Sequence, residues 1–324
     1  MALREWVMQF YDNEEEATTN AAKKSPALAL TSKPNTTNDT NSEDGNDNRD
    51  PKRFHQPGGT SKRKHENDTI EETVKKYKNT SVEMQKPSKK DLFERMNLNQ
   101  AWVDFIDLTD FDMETLIRVQ SFVEEQRSLE IIYPAPKNVH RWSYLCLPDQ
   151  VKVVIVGQDP YPQPHRADGL AFSTGDGCVA PSLRNIYKEL QRSVEGFVIP
   201  PHGHLESWAT QGVLLLNTAF TVVRGVPGAH STIGWKTLSD RVIMQLSAKK
   251  SNLVFMLWGN HAKEKMGLID KSKHCILTSA HPSPLAATRY AGFVGNNHFI
   301  KANRYIEDHG QEPINWNSLI DHTS

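Results

Sequence analysis

Polar and apolar positions divide the chain near residue 90. From about Asn13 to Lys90 apolar residues are sparse, and the stretch SKPNTTNDTNSEDGNDNRD holds none beyond its proline. Such a segment buries too little surface to offset the entropy of ordering it, so residues 1–92 are expected to form a disordered polar tail. From about Asp91 onward apolar positions recur with helical spacing in METLIRVQSFVEEQ, SLRNIYKELQRSV and TLSDRVIMQLSAK. Pro181 and Ser182 supply a start signal for the second of these. Between them lie four short, unbroken apolar runs: VKVVIVG, GVLLLN, NLVFMLWG and HCILTSA. Runs of that length predict strands buried on both faces. Strands alternating with helices predict an α/β fold, a single domain over residues 93–324 with a central, mostly parallel sheet flanked by helices.

Composition refines this picture little. At 324 residues the chain is long enough for one large domain or two small ones, and the hydrophobic fraction of 37% is low because of the polar tail. The net charge of −1 gives no global signal for nucleic acid, so a DNA site would have to be a local patch. Cys146, Cys178 and Cys275 lie far apart, which predicts a reducing compartment and no zinc site. No apolar run reaches membrane-spanning length, and the N-terminus lacks a signal-peptide core, so a soluble protein is expected. No internal repeat or phosphate-binding Walker loop is visible.

The chemistry is concentrated where the apolar runs stop. The first run ends at Gln158 and Asp159, the second at Asn217, the third at Gly259 and Asn260, and the fourth just before His281. In a parallel sheet these ends open on one edge, where α/β proteins bind their ligands. Asp159 is set in GQDPYP, between a glutamine and a proline-aromatic-proline corner that removes backbone freedom. Taken alone, Asp159 reads equally well as an acceptor for turn N–H groups. Four polar signatures on one edge are hard to attribute to turn chemistry.

GQDPYPQPHRADGLAFS, LLLNTAFTV and AHPSPL resemble the water-activating, uracil-reading and leucine-loop motifs of the family 1 uracil-DNA glycosylases. PSLRNIYKEL, LVFMLWG and HFIKANRYI resemble that family in the same order, and the likeness covers roughly residues 100 to 319. The resemblance implies a monofunctional enzyme that flips uracil out of DNA and hydrolyses its N-glycosidic bond, leaving an abasic site for base-excision repair. It implies no cofactor and no metal.

By the same resemblance, Asp159 stabilises positive charge on the sugar and orients the attacking water, and His281 donates a hydrogen bond to uracil O2. Asn217 pairs with the edge of the base, Phe172 stacks on it, Tyr161 crowds C5 against thymine, and the backbone N–H of Gln158 meets a carbonyl. No lysine stands at the catalytic position, which implies direct hydrolysis without a Schiff base. Ser182, Ser283 and the Gly259-Asn260 turn match phosphate-contacting positions, and Leu285 matches the apolar wedge that fills the gap left by the base. Asn260 stands where serine is usual, and the stretch from Leu285 to Gly292 is about two residues longer than common, leaving the roles of Arg289 and Tyr290 open. A glycosylase-like scaffold without catalysis is the competing reading, which has no need of Asp159, Asn217 and His281 together.

The tail carries two further expectations. Lys52-Arg53 and Lys62-Arg63-Lys64 are spaced like a bipartite nuclear import signal, predicting a nuclear protein. Trp6, Val7, Phe10 and Tyr11 could form one apolar helical turn that docks on a replication protein, although Arg4 stands where a clamp-binding peptide has glutamine. The expected partner is uracil-containing DNA, single- or double-stranded, bound by a monomer away from any membrane.

Overall fold

Ser88 opens the first helix of the described residues by a capping box: its hydroxyl accepts from the Asp91 N–H, and the Asp91 carboxylate accepts from the Ser88 N–H. The computed structural model describes residues 88–284 and 292–320. Helix α1 (Lys89–Met96) therefore crosses the boundary at 92/93 that composition suggested. Its Leu92, Phe93 and Met96 are already core residues, so the folded part starts earlier than the thinning of apolar residues implies. Helix α2 (Gln100–Phe105) follows, and then α3 (Asp110–Leu129), started by a second capping box between Thr109 and Asp112.

Among the described residues the remaining strands and α-helices run β1 (Ile132–Tyr133), α4 (Trp142–Leu145), β2 (Val153–Gly157), α5 (Pro181–Ser193), α6 (Glu206–Ala209), β3 (Val213–Asn217), β4 (Val222–Val223), α7 (Lys236–Lys249), β5 (Val254–Trp258), α8 (Gly259–Lys263), β6 (Cys275–Ser279) and α9 (His298–Asp308). All four apolar runs are strands of one sheet in the order β3-β2-β5-β6, with every neighbouring pair parallel. Every residue of β2, β3 and β5 is buried, whereas β6 lies at an edge and is half exposed. Strands buried on both faces need helices on both. Helix α3 packs with α7, tied by the 2.8 Å ion pair of Arg241 and Asp112, and α5 packs with α9. A small antiparallel pair, β1 with β4, stands apart from the main sheet.

The helical expectations hold: α3 and α7 extend beyond their periodic cores, and α5 covers its own but for Val194. Helix α5 begins at Pro181, whose missing N–H costs nothing in the first turn. Trp208, Trp316 and Phe299 form an aromatic cluster, and the Trp208 indole donates to the Trp316 carbonyl, closing the C-terminal segment onto the core. Among the described residues no helix is long and apolar enough to cross a membrane. Residues 1–87 and 285–291 lie outside the described residues, and with them the tail motifs and Leu285, Arg289 and Tyr290.

Candidate active site

The parallel register puts the ends of β2 and β3 side by side, Gly157 against Asn217. A Cβ on Gly157 would fall 2.2 Å from Asn217 Oδ1, so only glycine leaves the amide its place. Beyond these ends is a cavity of about 170 Å³, lined by Gln158, Asp159, Tyr161, Phe172, Ser182, Asn217 and His281 among others. It is far smaller than the ~300–1,000 Å³ of ordinary ligand pockets, which suits one small ring rather than a large ligand. Gly259 and Asn260 do not line it. Gly259 has φ +82°, and a Cβ there would lie 2.9 Å from His281 Cβ, so this glycine lets the end of β6 close on that of β5.

Asn217 is only 7% exposed, yet its amide makes no hydrogen bond with any described residue. Buried amides are normally satisfied, so an open donor and acceptor in a cavity point to a ligand. Asp159 Oδ2 accepts from the Gly228 N–H at 2.7 Å, which fixes the carboxylate. Burial pushes its carboxyl above the usual value, against that hydrogen bond and the nearby His261, which favour the charged form. His281 Nδ1 accepts from the Ser283 N–H at 3.0 Å, so the neutral ring carries its proton on Nε2. Burial first, and then the neighbouring His261, hold the ring below its usual pKa and so neutral.

The wall opposite is built from strained backbone. Phe172 has φ +65°, unusual for a bulky residue, and the strain is held by its surroundings. The preceding Ala171 N–H donates to Leu215 on the outer edge of β3, and the Tyr161 hydroxyl donates to the Phe172 carbonyl at 3.3 Å. The Phe172 ring stands 6.0 Å from that of His281 and 5.6 Å from that of Trp258. A fixed carboxylate, an unused amide, a neutral imidazole and an aromatic face thus meet around a ring-sized space.

Residues 145–307 match the uracil DNA glycosylase superfamily. The chain belongs to that superfamily. It is 52% identical over 237 residues to the uracil-DNA glycosylase of human herpesvirus 7 (strain JI), covering 73% of this chain and 93% of the relative. It is 52% identical over 220 residues to the uracil-DNA glycosylase of human cytomegalovirus (strain Merlin), covering 68% of this chain and 87% of the relative. The crystal structure of mimivirus uracil-DNA glycosylase superposes with a TM-score of 0.62 at 30% identity, covering 71% of this chain and 89% of that one.

In this superfamily member several site residues escape a reading of the sequence. Asp168 is a second carboxylate lining the cavity, buried, accepting from the Ser173 hydroxyl at 2.6 Å and the Leu170 N–H at 3.1 Å. It braces the loop that carries Phe172, and its place within ADGLAFS was the available signal. Gly228 and Pro227 come from a loop whose RGVPG composition marks only a turn. That loop is tied back by the Gly225 N–H to the Pro162 carbonyl. His261 Nε2 lies 3.1 Å from Thr218 Oγ1, whose own proton goes to the Gln158 carbonyl at 2.9 Å, so His261 is the donor. Among the described residues no three His, Cys, Asp or Glu side chains converge as a metal ion would require.

Proposed function

We propose that this chain is a monofunctional uracil-DNA glycosylase that receives a flipped-out uracil in the cavity and hydrolyses its N-glycosidic bond. Family membership supports the substrate class and the reaction. The observation that carries the finer assignment is Asn217, nearly buried with its amide unspent, beside Asp159 and His281. The amide offers a donor and an acceptor to the edge of the base, Phe172 offers a face to stack on, and Tyr161, fixed between Pro160 and Pro162, blocks a methyl at C5.

Cleavage separates charge between sugar and base. As the C1′–N1 bond breaks, the sugar becomes oxocarbenium-like, and the buried carboxylate of Asp159 stabilises it and orients water towards C1′. Electron density moves to uracil O2, where the neutral His281 donates from Nε2 without itself giving up the proton. The base leaves as an anion, water adds to C1′, and the proton the water loses passes to the Asp159 carboxylate and on to solvent. The low-dielectric site strengthens both interactions.

The DNA strand is held outside the cavity. Ala180 cannot cap helix α5, so the first N–H groups of that helix, beside Ser182, are suited to a phosphate. Ser283, Gly259 and Asn260 are assigned to further phosphates, and Leu285 to the wedge that holds the emptied stack. The basic clusters at Lys52-Arg53 and Lys62-Arg63-Lys64 support nuclear import, and the apolar residues Trp6, Val7, Phe10 and Tyr11 support docking on a replication protein.

The direct test is a short oligonucleotide carrying one uracil, with thymine and cytosine counterparts. Free uracil and an alkali-sensitive abasic site are expected, with nothing released from the counterparts. Intact uracil DNA at stoichiometric enzyme would overturn the proposal.

A further inference from the structure

Pro282 and Ser283 share one peptide group, and both of its polar atoms are engaged. Its N–H, from Ser283, donates to His281 Nδ1 at 3.0 Å. Its C=O, from Pro282, accepts from Asn185 Nδ2 at 2.8 Å. In a trans peptide the two bonds point in opposite directions within one rigid plane, so a grip on the oxygen aims the N–H. Asn185 stands one turn beyond Ser182 on helix α5, which is anchored in the core by Leu183, Ile186 and Leu190. The grip therefore comes from a rigid element rather than from the loop.

Without that grip the peptide plane is free to rock. His281 Nδ1 then loses a dependable donor, and the neutral ring is no longer restricted to carrying its proton on Nε2. Asn185 makes no other side-chain hydrogen bond among the described residues, so its donor is spent on this carbonyl.

We propose that Asn185 is a positioning residue for uracil excision: by holding the Pro282 carbonyl it directs the Ser283 N–H onto His281 Nδ1 and keeps the His281 proton on Nε2, the nitrogen left for the cavity. It touches neither base nor sugar and acts through His281, so the inference rests on the role given to His281 above.

The test compares Asn185→Leu, Asn185→Asp, His281→Leu and the double variant Asn185→Leu/His281→Leu in single-turnover release of uracil from one oligonucleotide. The imidazole nitrogens of His281 are followed in parallel by ¹⁵N NMR. Both Asn185 variants are expected to slow release about tenfold, the equivalent of one ordinary hydrogen bond, with KM within about twofold of wild type. The His281 signals should move from a pure Nε2–H pattern to a mixture of tautomers, and the double variant should be no slower than His281→Leu alone. Asn185→Asp, which keeps shape but has no donor, answers the question if the leucine variant does not fold.

Wild-type rates in a folded Asn185 variant would overturn the inference. So would a slowed rate with His281 still wholly Nε2–H, or losses that multiply in the double variant. A wild-type rate in His281→Leu would instead remove the role of His281, and the inference with it.

Discussion

Gly157 and Asn217 are partners in register at the ends of adjacent parallel strands, and the missing side chain of one is the space occupied by the amide of the other. The strand register is thus what aims the Asn217 amide into the cavity. Gly157→Ala would bring a methyl to 2.2 Å from Asn217 Oδ1 and 2.8 Å from Ala171 Cβ. Such overpacking costs about 1–3 kcal/mol of stability. A displacement of about 1 Å in a positioned group can cost on the order of 10²-fold in rate. Gly157→Ala should therefore remain folded, with a lowered melting temperature, and lose about two orders of magnitude in kcat/KM on uracil DNA. Calorimetry and a release assay on the same preparation check both halves.

Base selection should separate into two substitutions. Tyr161→Ala removes the wall at C5 and should permit slow thymine release, while also slowing uracil release because the hydroxyl that holds the Phe172 carbonyl is gone. Asn217→Asp should let cytosine compete, since a carboxyl group can accept from its exocyclic amine. Chromatography of bases freed from thymine- and cytosine-containing strands is the measurement. Absence of any new base from both variants would show that the cavity does not read the base in this way.

Acid stability follows from three buried histidines. Burial pulls the pKa of His140 from 6.5 to about 3, and those of His230 and His298 from 6.5 to about 4. Each folded value lies below the ordinary one, so between the two the unfolded chain binds a proton that the folded chain refuses. Stability is complete above pH 6.5 and falls as pH drops towards 4, by on the order of 2 kcal/mol for each histidine at pH 5. His140 is the clearest case: neither ring nitrogen has a partner among the described residues, and the ring packs edge-on against Trp142, Phe220 and Trp235. His140→Phe should flatten the acid limb of a denaturation series from pH 7 to 5 without loss at pH 7.

The sheet could be read from the chain because β2, β3 and β5 are short, unbroken apolar runs, and their polar exits carried the site with them. Helices α3, α5 and α7 were visible for the same reason, through one apolar stripe each. Strands β1 and β4 are two residues long and leave no period to detect. Helix α1 was obscured because its capping box sits in a polar, lysine-rich context. His261, Gly228 and Asn185 were illegible for a different reason. Each acts across a contact between segments distant in sequence, as Asn185 does on Pro282, and no local pattern encodes such a meeting. The positive φ of Phe172 is likewise imposed by its neighbours, since phenylalanine has no preference for it.

In the proposed reaction the fixed charge of Asp159 drives bond cleavage. That role is tested most directly by Asp159→Asn in single-turnover release of uracil, with binding of a uracil strand measured alongside. The shape of the side chain is kept and the charge removed, so transition-state stabilisation is lost while ground-state binding is spared. The expected result is binding within a few-fold of wild type and release slowed by at least about 10²-fold, the scale of one lost electrostatic contact in a preorganised site. An unchanged single-turnover rate in the folded variant would show that the charge of Asp159 does not drive cleavage.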